Sequence, residues 1–330
     1  MALTLEEAKV GYADKVEQNV IDEFRRSSIL LDKLTFDDTI SPTGGSNLVY
    51  GYQRLETPST ASVRQINAEY SPNEAKRTKC TASPVILGGS FQIDRVIAQT
   101  SGAINEMDFQ IKEKTKAGAN YFHNLVINGT SASSGTGYVP NTFDGLKKIL
   151  TGKSTEMTTD IDISTSALLD SNYNALLDEL DTFIALLAAK PDVLMMNSKM
   201  LTKVKSAARR AGYYDRNKDD FGRTVETYNG IILMDAGQYY NGSTTEDVVS
   251  TSTPSSDAYG TTDIYAAKLG LDAFHGISVD GSKMLKTYLP DLQAPGAVKT
   301  GEVELIAGAV LKNSKMAGVL KGIKLLGKTA

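Results

Sequence analysis

The stretch from Asn47 to Ile97 limits what this chain can fold into more than any other. It reads as two runs of β character, LVYGYQRLE and KRTKCTASPVILGGSFQIDRVI, separated by a polar middle from about Thr57 to Pro72. That pattern predicts an extended β-hairpin with a long tip. A lone two-stranded hairpin is marginal in water, because each strand keeps an unpaired edge and buries little apolar surface. Order in such a hairpin has to come from outside it, and the simplest outside source is a neighbouring copy of the same chain.

The flanking segments read as more compact pieces. Residues 5 to 34 carry Leu5, Ala8, Val16, Val20, Ile21, Phe24 and Leu31 at mostly helical spacing, which suggests a partly helical arm before a polar linker. Residues 101 to 128 give the strongest helical signal, with Ile104, Met107, Ile111, Gly118, Phe122 and Leu125 on one face and Asn128-Gly129 as the stop. A helix of that span is roughly 40 Å long and suits a strut. Beyond Ser171 come a leucine-rich helix, a short buried strand DVLMM, and a helix capped by Asn197 or Ser198 and stopped by Gly212, which together form an α/β unit. Asn229-Gly230 within TVETYNGIILMD predicts a tight hairpin. The Ser/Thr/Gly-rich stretch from Asn241 to Thr262 reads as an exposed loop, and DIYAAKLGLDAF, EVELIAGAVL and SKMAGVLKGIKLL as closing strands.

Composition removes several function classes. Thirty-five basic and 39 acidic residues give a net charge of -4 and are interleaved, so no strongly basic face marks a general nucleic-acid binder. Cys80 is the single cysteine, which excludes a disulfide framework or a cysteine-rich zinc site within one chain. No apolar run approaches the roughly 18 residues of a spanning helix. The acidic, amphipathic N-terminus lacks the basic and apolar regions of a secretory signal, so synthesis in a cytosol is expected.

Candidate chemistry is equally sparse. The run TGKS at 151 to 154 imitates the end of a phosphate-binding loop, yet Lys147 stands where the motif needs glycine, so a polar turn is expected. Only two histidines exist, His123 and His275, and neither has a histidine or carboxylates at metal-ligand spacing. We expect no catalytic residue, cofactor or metal. What remains is a charge pattern: Arg64, Lys76, Arg77 and Lys79 on the hairpin face an arm that is acidic at Glu6, Glu17, Asp22 and Glu23. Docking of one chain's hairpin on another's arm is the inter-subunit contact this pattern suggests.

The order of these segments resembles the major capsid proteins of tailed bacteriophages, with the Hong Kong 97 type fold. FRRSSILLDKLTF looks like their opening arm, VILGGSFQIDRVIAQT like the return of the extended loop into the long helix, and YVPNTFDGL and VLMMNSKMLTKVKSAAR are similar to the family's segments beyond that helix. The resemblance implies an α+β chain of five parts: an N-terminal arm at 1–46, an extended β-hairpin loop at 47–90, and a peripheral domain at 91–155 with a spine helix at 101–128. An axial α/β domain at 156–289 and a return to the peripheral domain at 290–330 complete it. It implies a virion protein made in the bacterial host cytoplasm, which assembles with itself through hexamers and pentamers into an icosahedral shell around the phage genome. Implied partners are a separate scaffolding protein, a portal, possible decoration proteins and weak contact with packaged DNA, with no membrane. An encapsulin-like nanocompartment shell shares the fold and is the alternative; an α/β enzyme with an unrecognised site is the alternative of another class.

Overall fold

Val85, Leu87, Phe91 and Ile93 alternate along the strand Val85–Asp94 and are all buried, whereas Ile86, Gly88, Ser90 and Gln92 face outward. In the computed structural model, which describes residues 29–39, 49–99, 106–131, 142–212, 215–218, 224–279 and 285–329, this strand does not continue the hairpin. It runs antiparallel to the 14-residue strand Val298–Leu311, from Val298 opposite Asp94 to Ala307 opposite Val85. Pro84, with no N–H to donate to a ladder, separates it from the hairpin strand Lys76–Ala82. The hairpin of Tyr50–Thr57 with Lys76–Ala82 therefore ends at Ala82, and residues 85–90, which the sequence suggests as hairpin, are part of a sheet.

That five-stranded sheet is built around Val298–Leu311. Its other edge pairs first with Leu285–Tyr288 and then with Phe274–Ser278, and Phe36–Asp38 adds a parallel strand outside the latter. Every residue of Phe274–Ser278 is buried. Gly276 is required there, because a Cβ would lie 2.4 Å from the Phe36 ring. Both strands between 274 and 288 thus leave the stretch expected to be axial and join the peripheral layer.

The spine helix Glu106–Asn128 lies across this sheet; residues 101–105 of the expected helix fall outside the described residues. Its 23 residues span about 34 Å. Ile111, Thr115, Ala119, Phe122 and Val126 form its buried face, so the stripe runs beside the Gly118 position read from spacing. Thr115 is tolerated in that core because its hydroxyl donates to the Ile111 carbonyl at 2.8 Å. Phe122 anchors the layer, with ring centroids 6.2 Å from Phe36 and 6.0 Å from Phe143.

A second, seven-stranded sheet runs in the order Glu156–Thr158, Ala317–Leu326, Gly260–Ala267, Val193–Met196, Ile231–Asp235, Thr224–Tyr228 and Asp215–Lys218. The helices Ser166–Ala185 and Ser198–Ala211 cover one face through Leu176, Leu180, Phe183, Met200 and Val204. Asn197 caps the second helix by accepting from the Met200 amide at 2.7 Å, and Gly212 ends it at φ 76°. Asn229 and Gly230 take φ of 51° and 72°, the left-handed pair that a two-residue turn needs.

The final segment departs from the expectation of a single peripheral return. Val298–Leu311 is peripheral, but after the 3-10 turn Ser314–Met316 the chain crosses to the second sheet, where Ala317–Leu326 pairs antiparallel with Gly260–Ala267 and parallel with Glu156–Thr158. Ala317, Val319, Leu320 and Ile323 are fully buried there, and a strand covered on both sides needs a near-continuous apolar run.

Candidate assembly surfaces

The hairpin has a fixed root and an uncovered tip. On one face of Tyr50–Thr57, the alternating residues Tyr50, Tyr52 and Arg54 turn toward the end of the long peripheral strand. The Tyr50 hydroxyl donates to Asp37 Oδ2 at 2.6 Å, its ring meets His275 edge-on at 5.7 Å, and Lys312 Nζ lies 5.4 Å from the ring centre. Arg54 donates through Nε to the Lys312 carbonyl and through Nη2 to the Leu311 carbonyl, each at 2.9 Å, and Tyr52 Oη reaches the same Leu311 oxygen at 3.5 Å. Burial, reinforced by the Asp37 carboxylate that accepts its proton, pushes the Tyr50 hydroxyl well above the usual phenol range; burial also raises Tyr52. Both phenols therefore keep the protons their hydrogen bonds use.

The sequence alone does not suggest this clamp. Its only trace there is the spacing of two tyrosines and an arginine at every second position of YGYQR. Arg54→Ala removes the two charge-assisted bonds to the Lys312 and Leu311 carbonyls, which costs about 2 kcal/mol of local stability. The expected result is cleavage of residues 50–82 by a nonspecific protease at least tenfold faster, with the unfolding midpoint of the rest unchanged; an unchanged cleavage rate refutes the clamp.

From Glu56 outward no described residue outside the hairpin covers it. Val63 is 100% and Ile66 91% exposed, and Tyr70 and Leu55 are each 60% exposed. Arg64 bonds the Ala68 carbonyl at 3.1 Å and lies over the Tyr70 ring, so it shapes the tip. Lys76, Arg77 and Lys79 stand exposed on the returning strand. Their suggested partners Glu6, Glu17, Asp22 and Glu23 lie outside the described residues.

At the other end, the Ser/Thr/Gly-rich stretch is exposed only in its outer part. Val248 and Val249 are buried, and their carbonyls accept from Asn128 Nδ2 at 2.7 Å and Asn197 Nδ2 at 3.3 Å. Asn241 accepts from the amides of Ser243 and Thr244, which sets a tight turn between Gln238–Tyr240 and Thr245–Asp247.

The motifs that imitate chemistry resolve into structure. In the TGKS turn the Gly152 amide already donates to Glu156, whose carboxyl is held below its ordinary range first by Lys321 and then by this amide. An acid side chain thus stands where a phosphate would have to lie. His123 lies on the spine helix and His275 in a strand of the peripheral sheet. Among the described residues no cluster of three or more His, Cys, Asp or Glu side chains could hold a metal, and no helix is long and apolar enough to cross a membrane.

A spine helix across a peripheral sheet, a separate axial α/β layer, and an extended hairpin clamped at its root make up the Hong Kong 97 type fold of tailed-phage capsids. Residues 76–232 match the family described as SU10 major capsid protein. No curated protein matches the sequence. Among solved structures, the holo-SrpI encapsulin complex of Synechococcus elongatus is similar at a TM-score of 0.63 and 12% identity, over 91% of this chain and 89% of that one. A chain from Mycobacterium phage Bobi is similar at 0.56 and 10%, over 89% and 90%. The capsid of the Myoviridae phage XM1 is similar at 0.51 and 13%, over 86% and 89%.

Proposed function

We propose that this chain is the repeating subunit of an icosahedral phage shell, built from hexamers and pentamers around packaged DNA. The observation that carries the reading is the hairpin: its root is fastened by Tyr50, Tyr52 and Arg54, while Val63 and Ile66 at its tip lie bare. Apolar side chains held out on a fixed arm favour burial on another molecule, and a head-to-tail contact that closes on itself gives rings. The five-part division remains part of this proposal, with the hairpin ending at Ala82 and the last strand assigned to the axial layer. The exposed turn at Asn241–Thr244 would meet its copies around the ring centre. Arg64, Lys76, Arg77 and Lys79 would meet the acidic arm residues Glu6, Glu17, Asp22 and Glu23 of a neighbour. Scaffolding protein, portal and decoration proteins are the further partners, and the host cytoplasm the place of synthesis.

Negative-stain electron microscopy of the purified chain, with size-exclusion chromatography, tests the reading. Closed polyhedral shells or five- and six-fold rings are expected; a monodisperse monomer in assembly-permissive salt with candidate scaffold present refutes it. The similarity to the SrpI encapsulin favours one second reading, a compartment that encloses proteins instead of a genome. Particles isolated from the native source separate the two, since nuclease-protected DNA inside supports the phage shell and protein cargo without DNA the compartment. The arm contact is tested by charge reversal: Lys76→Glu with Arg77→Glu weakens assembly, and Glu17→Lys with Glu23→Lys restores it. If neither reversal alters assembly, the pairing is wrong.

A further inference from the structure

The chain has two histidines, one under the hairpin root and one on the spine helix where it faces the second sheet. His275 lies fully buried under the hairpin root, edge-on to Tyr50, and among the described residues neither ring nitrogen has a hydrogen-bond partner of ordinary geometry. His123 lines a cavity of about 160 Å3 between the spine helix and the second sheet, opposite Met195, Met234, Ala236 and Val248. We propose that the two histidines make both joints acid-labile, so that protonation of His275 frees the hairpin root and protonation of His123 loosens the spine helix from the axial layer.

The surroundings decide the direction. At His275, burial and then Lys312 hold the imidazole neutral, against a weaker opposite pull from the Ala273 backbone and the carboxylates of Asp37 and Asp272. Tyr50 adds no charge, and Asp37 already spends Oδ2 on the Tyr50 hydroxyl. An imidazolium formed there gains solvation only if the Tyr50 face lifts away. At His123, burial pushes the imidazole down to about 4. Among the described residues lining that cavity, Asp235 carries the charge, and its Oδ1 is engaged by the Gly237 amide at 2.9 Å; Asn120 is a neutral amide.

Both histidines thus sit below the value of about 6.5 that they regain once exposed. The open form binds a proton that the closed form refuses. Closure is therefore at full strength above about pH 6.5 and is lost as pH falls, with opening favoured up to about tenfold per pH unit. At His123 the loss continues down to about pH 4. The effect belongs to a single chain and goes beyond shell building, so it stands or falls apart from any particle image.

Hydrogen exchange of the full chain, expressed as protection factors corrected for the intrinsic rate at each pH, tests it. In the wild type, protection at 50–57 and 76–82 and at 193–196 and 231–235 should fall between pH 7 and 5. His275→Gln should flatten the first profile alone, and His123→Gln the second alone. A flat wild-type profile, or a slope that persists in the matching variant, overturns the proposal. The slope is read rather than the level, so a uniformly less stable variant still decides. If a variant does not fold, exchange at the imidazole C2 position of the wild type reports each histidine directly, and a midpoint at or above about 6.5 for either one overturns its joint.

Discussion

Replacing residues 58–75 by an Asn-Gly turn leaves a folded subunit that no longer forms closed particles. The ladder from Tyr50 opposite Ala82 to Thr57 opposite Lys76 survives this change, and so does the clamp of Tyr50, Tyr52 and Arg54. None of the removed side chains belongs to either hydrophobic core. The thermal midpoint should therefore shift by no more than a few degrees. What disappears is the exposed set Val63, Ile66 and Tyr70. Burying each on a neighbour contributes about 2 kcal/mol, repeated at every subunit of the shell, so the loss acts on all contacts at once. Size-exclusion chromatography and electron microscopy read the result; normal shells from a variant with an unchanged melt remove the hairpin tip from the assembly mechanism.

Asn197→Ala is the substitution with the largest expected effect on the fold itself. The residue is 1% exposed and its amide is fully used. Oδ1 accepts from the Met200 amide, while Nδ2 lies 2.7 Å from Thr262 Oγ1, 3.0 Å from Thr251 Oγ1 and 3.3 Å from the Val249 carbonyl. Alanine removes the helix cap and leaves buried polar atoms without partners, for a cost of about 3 kcal/mol. Asn197→Asp keeps the cap acceptor but sets a carboxylate against the Val249 carbonyl, and it should not restore stability. Urea unfolding measures both. A loss under about 1 kcal/mol for alanine means that only the cap counts and that the ties to the loop contribute nothing.

Local structure was legible in this sequence where a single residue type carries the geometry. Asn197, one of the two caps expected, and Gly212 bracket their helix, and Asn229-Gly230 turns its hairpin, because capping and left-handed backbone are properties of those residue types. Partnership between distant segments was not legible. Alternation in Val85–Asp94 reveals a half-buried strand but not that Val298–Ala307 is its neighbour, so the sequence suggests a hairpin that is too long. For the same reason, Phe274–Ser278 and Leu285–Tyr288 were read as axial and the whole end of the chain as peripheral, when one strand returns to each sheet. The root clamp was missed because its acceptors are backbone carbonyls at Leu311 and Lys312, which any residue supplies.

Both sheets receive their organising strand near the end of the sequence, Val298–Leu311 in one and Ala317–Leu326 in the other. Synthesis runs in the opposite sense to assembly here. A ribosome that has released residues 1–290 presents the hairpin and spine helix with no long strand for Val85–Asp94 to pair with and no carbonyls for Arg54 to hold. Pairing across so long a separation is slow and waits for the late segment. The hairpin root is therefore fixed in place only once residues 298–312 have emerged, and a chain that stops short of them has no clamp to hold its arm.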